Sequence, residues 1–189
     1  HMHTTNSDGG KSPEDAVAVY KAAGYDAVAL TDHWFFGSGS DLDDFTILSG
    51  AEYNIGGSDA RDGVFHIVGV GMSRVPSVTK DMTAQELING IHEVGGIAIL
   101  AHPLTYKFTR PELIQCIETL KSYGLQGMET YYSTFSEADH RDMKRLADQY
   151  GLLHSGGSDF HGSVKPNIQI GKGMGRLVIP YDLLDRMRA

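Results

Sequence analysis

Short apolar runs alternate along this chain with amphipathic ones, and the punctuation between them is regular. Ser12-Pro13-Glu14-Asp15 predicts a helix start, with Ser12 as N-cap, Pro13 at the first helical position and acids in the first turn; Gly24 closes that helix. Asp26 to Thr31 reads as a buried strand ending at Asp32-His33. Trp34 to Asp44 reads as a loop rich in Gly, Ser and Asp, whose Trp34, Phe35 and Phe36 either pack it down or face a substrate. Thr46 to Tyr53 predicts a strand carrying Glu52, and after a polar Gly/Asp loop Val64 to Val70 predicts another carrying His66.

The second half repeats the scheme. Thr83-Ala84-Gln85-Glu86 is a capping box opening a helix that Gly95-Gly96 ends. Ile97 to Ala101 is a strand delivering His102-Pro103. Thr109-Arg110-Pro111-Glu112 is a second capping box, and its helix, with Cys116 as a packing residue, stops at Gly124. Met128 to Tyr131 predicts a strand holding Glu129, Ser136 caps a polar helix to Tyr150, and a strand from Leu152 leads to Gly156. A last helix is expected near Tyr181 to Arg188. Strand-then-helix alternation with short connections predicts a parallel sheet with crossover helices. In a closed parallel barrel, catalytic groups gather at the C-terminal ends of the strands, and most of the chemistry-bearing residues fall there.

Composition narrows the function classes without choosing one. At 189 residues the chain suits one domain, 1–189, with ordinary proportions of hydrophobic (41%) and charged (21%) residues. No apolar run approaches the ~20 residues of a membrane span, and no signal peptide is visible. A lone cysteine excludes an internal disulfide framework and fits a reducing cytoplasm. The formal net charge of −8 speaks against a broad basic face for long nucleic acid. It leaves room for a small phosphorylated substrate, because bound divalent cations reverse the local field.

The chemistry concentrates in Gly156-Gly157-Ser158-Asp159-Phe160-His161-Gly162. Side chains at i and i+2 of an extended segment point the same way, so Asp159 and His161 can enter one site together. His1-Met2-His3 repeats that spacing. With His33, His66, His102, Asp8, Glu52 and Glu129, these make six histidines and four acids available as ligands. Imidazole and carboxylate without thiolate suit zinc, iron or manganese. Neighbouring ions can generate hydroxide at neutral pH and clamp both oxygens of a displacement at phosphorus.

The order His1-Met2-His3-Thr4, Ser7-Asp8-Gly9, Thr31-Asp32-His33, Gly50-Ala51-Glu52, His66, Ala101-His102-Pro103, Gly157-Ser158-Asp159-Phe160-His161 resembles the PHP (polymerase and histidinol phosphatase) domain over essentially the whole chain. The resemblance implies a distorted (β/α)7 barrel with two or three divalent metal ions (Mn, Fe or Zn) that hydrolyses phosphoesters through a metal-bridging hydroxide. It implies that His1, His3, Glu52 and Asp159 hold a first ion, that Glu52 bridges to a second held by His66 and His102, and that Asp8, His33 and His161 hold a third. Asp159, His161 and Glu52 then stand closest to the chemistry, with Asp159 or a bound water as general acid. Glu129 is expected behind the ligands or facing substrate. The family's barrel has a strand just ahead of the His-x-His, and since nothing precedes His1 that first strand is expected to be missing.

The sequence departs from the pattern after His102-Pro103. Related nucleotide-cleaving members often have Gly-Arg-Tyr there, with the arginine on substrate phosphate; this chain has Leu104-Thr105-Tyr106-Lys107. Lys107, Lys165, Arg74 and Arg141 are the cations that could replace it. The expected substrate is a small phosphomonoester or (oligo)nucleotide phosphate. An amidohydrolase-type C–N hydrolase and a metal-free, non-catalytic barrel are the competing readings. His92, His140 and His154 are left outside the ligand set, His92 and His140 as exposed helix residues and His154 as either a support behind a ligand or a core histidine.

Overall fold

The protein is represented by a computed structural model that describes residues 1–42, 44–55 and 65–188. Two sheets and five helices make a mixed α/β fold. The smaller sheet joins β1 (Ala27–Ala29), β2 (Ser40–Leu42) and β3 (Phe45–Leu48), with β3 central. The larger runs in chain order through β4 (Gly50–Ile55), β5 (Phe65–Val70), β6 (Ile97–Leu100), β7 (Gly127–Tyr132) and β8 (Leu153–Gly157). The helices are α1 (Pro13–Ala22), α2 (Ala84–Glu93), α3 (Arg110–Ser122), α4 (Glu137–Tyr150) and α5 (Asp182–Arg188).

Helix boundaries follow the caps. The Ser12 hydroxyl accepts the Asp15 amide, and reciprocal capping boxes open α2 at Thr83, α3 at Thr109 and α4 at Ser136. Each satisfies amides that have no partner inside the helix. Gly151, left-handed at φ 60°, ends α4. Cys116 sits half-buried within α3, its thiol pushed up to about 11 by desolvation, as befits a packing residue.

The strands depart from expectation in three places. The predicted strand Thr46 to Tyr53 is two strands, β3 and β4, in different sheets. The break falls at Ser49, whose hydroxyl turns away to donate to the Met72 carbonyl, and at Gly50, where a Cβ would stand 2.8 Å from the Leu30 carbonyl oxygen. The predicted Trp34 to Asp44 loop contains β2, paired antiparallel to β3. The larger sheet is mixed rather than parallel: β4–β5 and β5–β6 are antiparallel, and only β6–β7 and β7–β8 are parallel. The connection between Ile55 and Phe65 is shorter than the dozen or so residues a parallel crossover needs. Residues 56–64, including most of the expected polar loop and Val64, lie outside the described residues.

The larger sheet is buried on both faces. Ile67, Leu100 and Met128 pack against Leu87, Ile88 and Ile91 of α2, Ile117 of α3 and Leu146 of α4. The alternate positions Val68, Val70, Ile99 and Ala101 form a small separate cluster on the other face. A third cluster holds Ala16 and Tyr20 of α1 against Val28, Phe45, Met2 and Phe160. No helix among the described residues is long and apolar enough to cross a membrane.

Residues 1–3 link the two sheets. The Met2 amide donates to the Thr31 hydroxyl (2.9 Å), and the Thr31 amide and hydroxyl both donate to the Met2 carbonyl (3.2 and 3.0 Å). On the other side the His3 amide donates to the Phe160 carbonyl (2.8 Å) and the Asp159 amide to the His1 carbonyl (3.0 Å). Residues 1–3 thus occupy one strand position between the chain leaving β1 and the chain leaving β8. Below them, between β1 and β8, lies a cavity of about 410 Å³ whose walls include Val28, Val68, Val70, Ile99, Leu184 and Met187.

Candidate metal centre

Glu52, on β4, is the hub. It is 1% exposed, and its two oxygens face different partners. Oε1 lies 2.7 Å from His66 Nδ1, 3.2 Å from His102 Nε2 and 3.3 Å from His1 Nε2. Oε2 lies 3.2 Å from both His3 Nε2 and His33 Nδ1. His66 stands near the start of its strand rather than the end, because β5 runs antiparallel and brings that end to the site. Asp159 Oδ1 faces His3 Nε2 (3.3 Å), His161 Nδ1 (3.4 Å) and His1 Nε2 (3.6 Å). Asp8, half-exposed, stands 3.4 Å from His161 Nε2, 3.5 Å from His3 Nδ1 and 3.8 Å from His33 Nε2.

These contacts resolve into four groups whose ligand atoms lie within 4.8 Å of one another: His3, Asp8, His33 and His161; His1, Glu52 and His102; His1, His3 and Asp159; His33, Glu52 and His66. Ring nitrogens of His1 and His3 approach to 3.3 Å while both face the same carboxylates. Convergent lone pairs at this spacing suit shared divalent cations, and the all-nitrogen-and-oxygen donor set fits zinc, iron or manganese.

The surroundings fix which nitrogen each ring presents. Glu129, on β7 and 1% exposed, accepts from His1 Nδ1 (2.8 Å) through one oxygen and from the His102 amide (2.7 Å) through the other. An ionised carboxylate only accepts, so the proton is assigned to His1 Nδ1 and Nε2 is left for a ligand role. The Thr105 hydroxyl donates to the His102 carbonyl (2.9 Å) and so accepts from His102 Nδ1 (2.8 Å), which again leaves Nε2. His161 Nδ1 donates to the Asp159 carbonyl (2.9 Å). His102 and Asp159 both hold positive φ, 29° and 51°, strained backbone that the bonds around them maintain.

Electrostatics agree with a ligand cluster. Burial opposes a charge on His1, but the Glu129 and Glu52 carboxylates outweigh it and raise its pKa well above 6.5. Burial likewise opposes charge on His3, which its bonds to Asp159 and Glu52 outweigh, raising it. Burial also opposes the Glu52 and Asp159 charges, yet the surrounding histidines, joined by Lys165 at Asp159, bring both carboxyls below their usual range. Burial holds His33 and His161 below their usual value, in the neutral form that binds metal.

The structure brings His1, His3, Asp8, His33, Glu52, His66, His102, Asp159 and His161 into one cluster, with Glu129 directly behind it. Lys165 reaches the cluster: its Nζ lies 2.7 Å from Asp159 Oδ2. Lys107 is exposed at the end of the 3-10 turn Pro103–Tyr106, and among the described residues it pairs with none of these ligands. His92 is half-buried rather than exposed, because Gly124 packs against its ring. His140 is also half-buried, accepting the Tyr132 amide at 3.3 Å. His154 faces Asp148 (2.9 Å) and Thr130 (3.2 Å), away from the cluster. Two supporting residues lay outside the expected ligand set, Tyr132 without a sequence signal and Asp32 noted only beside His33 in Thr31-Asp32-His33. Tyr132 donates its hydroxyl to Asp159 Oδ2 at 2.6 Å. Buried Asp32 accepts from the Thr4 amide (2.6 Å) and hydroxyl (2.7 Å) and from the Ser7 hydroxyl (2.7 Å), bracing the turn that presents Asp8.

No family model matches the chain. Among characterised proteins it is 37% identical over 81 residues to a phosphoribosyl 1,2-cyclic phosphate 1,2-diphosphodiesterase of Eggerthella lenta, a stretch covering 42% of this chain and 28% of that protein. It is 39% identical over 74 residues to a 5'-3' exoribonuclease of Haemophilus influenzae, covering 39% and 27%. It is 34% identical over 77 residues to a 3',5'-nucleoside bisphosphate phosphatase of Chromobacterium violaceum, covering 41% and 27%. Each match thus spans less than a third of the relative's length. Among solved structures, the fold matches a candidate metal-dependent phosphoesterase of Bifidobacterium adolescentis with TM-score 0.76 and 15% identity, covering 99% of this chain and 93% of that one. It matches an amidohydrolase of Chromobacterium violaceum, solved with sulfate and no metal, with TM-score 0.72 and 18% identity over 96% and 97%. It also matches a two-domain Bacteroides vulgatus protein containing a predicted PHP-like metal-dependent phosphoesterase, with TM-score 0.61 and 17% identity over 100% and 67%.

Proposed function

We infer that this chain, which has the fold of the PHP-like metal-dependent phosphoesterases, hydrolyses phosphate esters at the cluster around Glu52. The observation that carries this reading is the division of one buried carboxylate between two sets of imidazoles, His1, His66 and His102 on one oxygen and His3 and His33 on the other. That division supports a bridging role for Glu52. His1, His3, Glu52 and Asp159 would hold a first ion, Glu52, His66 and His102 a second, and Asp8, His33 and His161 a third. Divalent ions bound there supply Lewis acidity toward a phosphoryl oxygen and acidify bound water.

The chain's own residues set the rest. Hydrolysis adds water to phosphorus, breaks the ester P–O bond and returns a proton to the leaving alcohol. Asp159 is suited to holding charge rather than donating that proton, since one oxygen faces three imidazoles and the other accepts from Tyr132 and Lys165. Half-exposed Asp8 and partly exposed His33 and His66 mark the open side where substrate enters. The chain's net charge of −8 favours a small phosphomonoester or short (oligo)nucleotide over long nucleic acid, in a cytoplasmic setting. We also propose that the two sheets are parts of a distorted (β/α)7 barrel. Residues 1–3 occupy one strand position between the ends of β1 and β8, above the cavity lined by residues of both strands, which supports this reading.

Elemental analysis of the purified protein, paired with a panel of phosphate esters and N-acyl amides, tests the function. The expected result is two or three equivalents of manganese, iron or zinc per chain, release of inorganic phosphate, and loss of both in Asp159→Ala/His161→Ala. Amide cleavage without phosphate release would favour the amidohydrolase reading. No bound metal after reconstitution would favour a binding role.

A further inference from the structure

Lys165 stands apart from the other paired cations of the molecule. Among the described residues, the Lys and Arg side chains in ion pairs otherwise meet surface acids: Lys21 with Asp44, Arg110 and Arg145 with Asp142, Arg186 with Asp182. Among the described residues, Lys165 is the Lys or Arg that pairs with a member of the candidate metal cluster. Its backbone is fixed there. The Lys165 amide donates to the Gly162 carbonyl (3.2 Å), and its carbonyl accepts the Ile168 amide (3.0 Å). Gly162 in turn abuts Gly10, beside the turn that carries Asp8.

Holding Asp159 in place does not require Lys165. Oδ2 already accepts the Tyr132 hydroxyl at 2.6 Å from a residue that is 7% exposed. Oδ1 faces the imidazoles. The lysine side chain is 41% exposed, and an ammonium has three donors, of which Asp159 takes one. Among the described residues Asp159 is the hydrogen-bond partner of Nζ, and the remaining donors are left open. Cations bound by Asp159 would draw on its charge and weaken its hold on the ammonium, leaving Lys165 to an arriving anion. The arginine expected after His102-Pro103 is absent from this chain, and Lys107 does not pair with the ligands.

We propose that Lys165 binds a non-bridging oxygen of the substrate phosphate, so that it acts as a substrate-binding residue rather than as a support for Asp159. The proposal rests on the phosphoesterase reading of the site. Its test is calorimetric titration of inorganic phosphate into the metal-loaded protein, comparing wild type with Lys165→Ala and Lys165→Arg. Metal per chain is measured on the same samples by elemental analysis. The expected result is phosphate affinity at least tenfold weaker in Lys165→Ala, largely restored in Lys165→Arg, at unchanged metal content. Tyr132→Phe should show the opposite pattern, with metal retention impaired more than phosphate binding. Unchanged phosphate affinity in Lys165→Ala would overturn the proposal alone, as would a loss of metal equal to that of Tyr132→Phe. Failure of the wild type to bind phosphate, or to hydrolyse p-nitrophenyl phosphate, would remove the proposal together with the reading beneath it.

Discussion

Glu129 shows how much of this site is decided one bond behind the ligands. Its two oxygens reach the ring of His1 and the backbone of His102, so a single carboxylate orients two candidate ligands from distant parts of the chain. Glu129→Gln preserves volume but replaces one acceptor with an amide donor. Metal affinity should fall about 10–100-fold, as for other carboxylates behind a ligating histidine; competition against a chelator of known affinity measures it. The same environment gives the metal-free protein a defined response to pH. His1 and His3 have raised folded-state values, so their stabilisation is complete below about 6.5 and is lost as pH rises through those raised values. Glu52 and Asp159 have lowered values, so theirs is complete above about 4.5 and is lost as pH falls through the lowered ones. The metal-free Tm should therefore peak at mildly acidic pH and decline on the alkaline side. Metal uptake at pH 7 should release protons from His1 and His3, detected as a dependence of binding heat on the buffer's ionisation enthalpy.

At the scale of elements, the strap formed by residues 1–3 is the weak link and the informative one. Thr31 ties Met2 through its hydroxyl in both directions. Thr31→Val removes both bonds at nearly constant volume, and about 1–3 kcal/mol of stability should be lost. Because His1 and His3 flank Met2, metal per chain should fall with it, which elemental analysis reads directly. The helices and the residues that converge on the site were legible in the sequence because their signals are local: capping boxes at Thr83, Thr109 and Ser136, and the His-x-His and Asp-x-His spacings. The strand pattern was less so. The direction of β5, the division of Thr46 to Tyr53 at Ser49 and Gly50, and the pairing of β2 within an apparent loop depend on partners far along the chain. Tyr132 was invisible for the same reason, and Asp32 was visible only as a neighbour of His33, without its bracing role. A tyrosine in a strand, or an acid beside a histidine, carries no mark of the side chain it will meet.

For the whole molecule, the candidate ligands converge from both sheets. Asp8 and His33 lie on or beside the smaller sheet's side of the site, and Glu52, His66, His102 and Asp159 lie on or just beyond strands of the larger. Stripping metal with a chelator should lower Tm by several degrees, with recovery on adding manganese or zinc, since binding to the folded state alone adds stability by mass action. An extended apolar segment fused ahead of His1 should raise Tm further if it fills the cavity between β1 and β8; differential scanning calorimetry of the two forms decides this. The placement of residues 1–3 also sets an order of events. His1 and His3 precede every other candidate ligand in the chain, yet the slot that receives them is walled by Thr31 on one side and by Asp159 and Phe160 on the other. They must wait, undocked, until synthesis has passed Phe160. Metal capture at the proposed site would then follow synthesis of His161, and a nascent chain stalled before residue 159 would carry His1 and His3 without the segment that seats them.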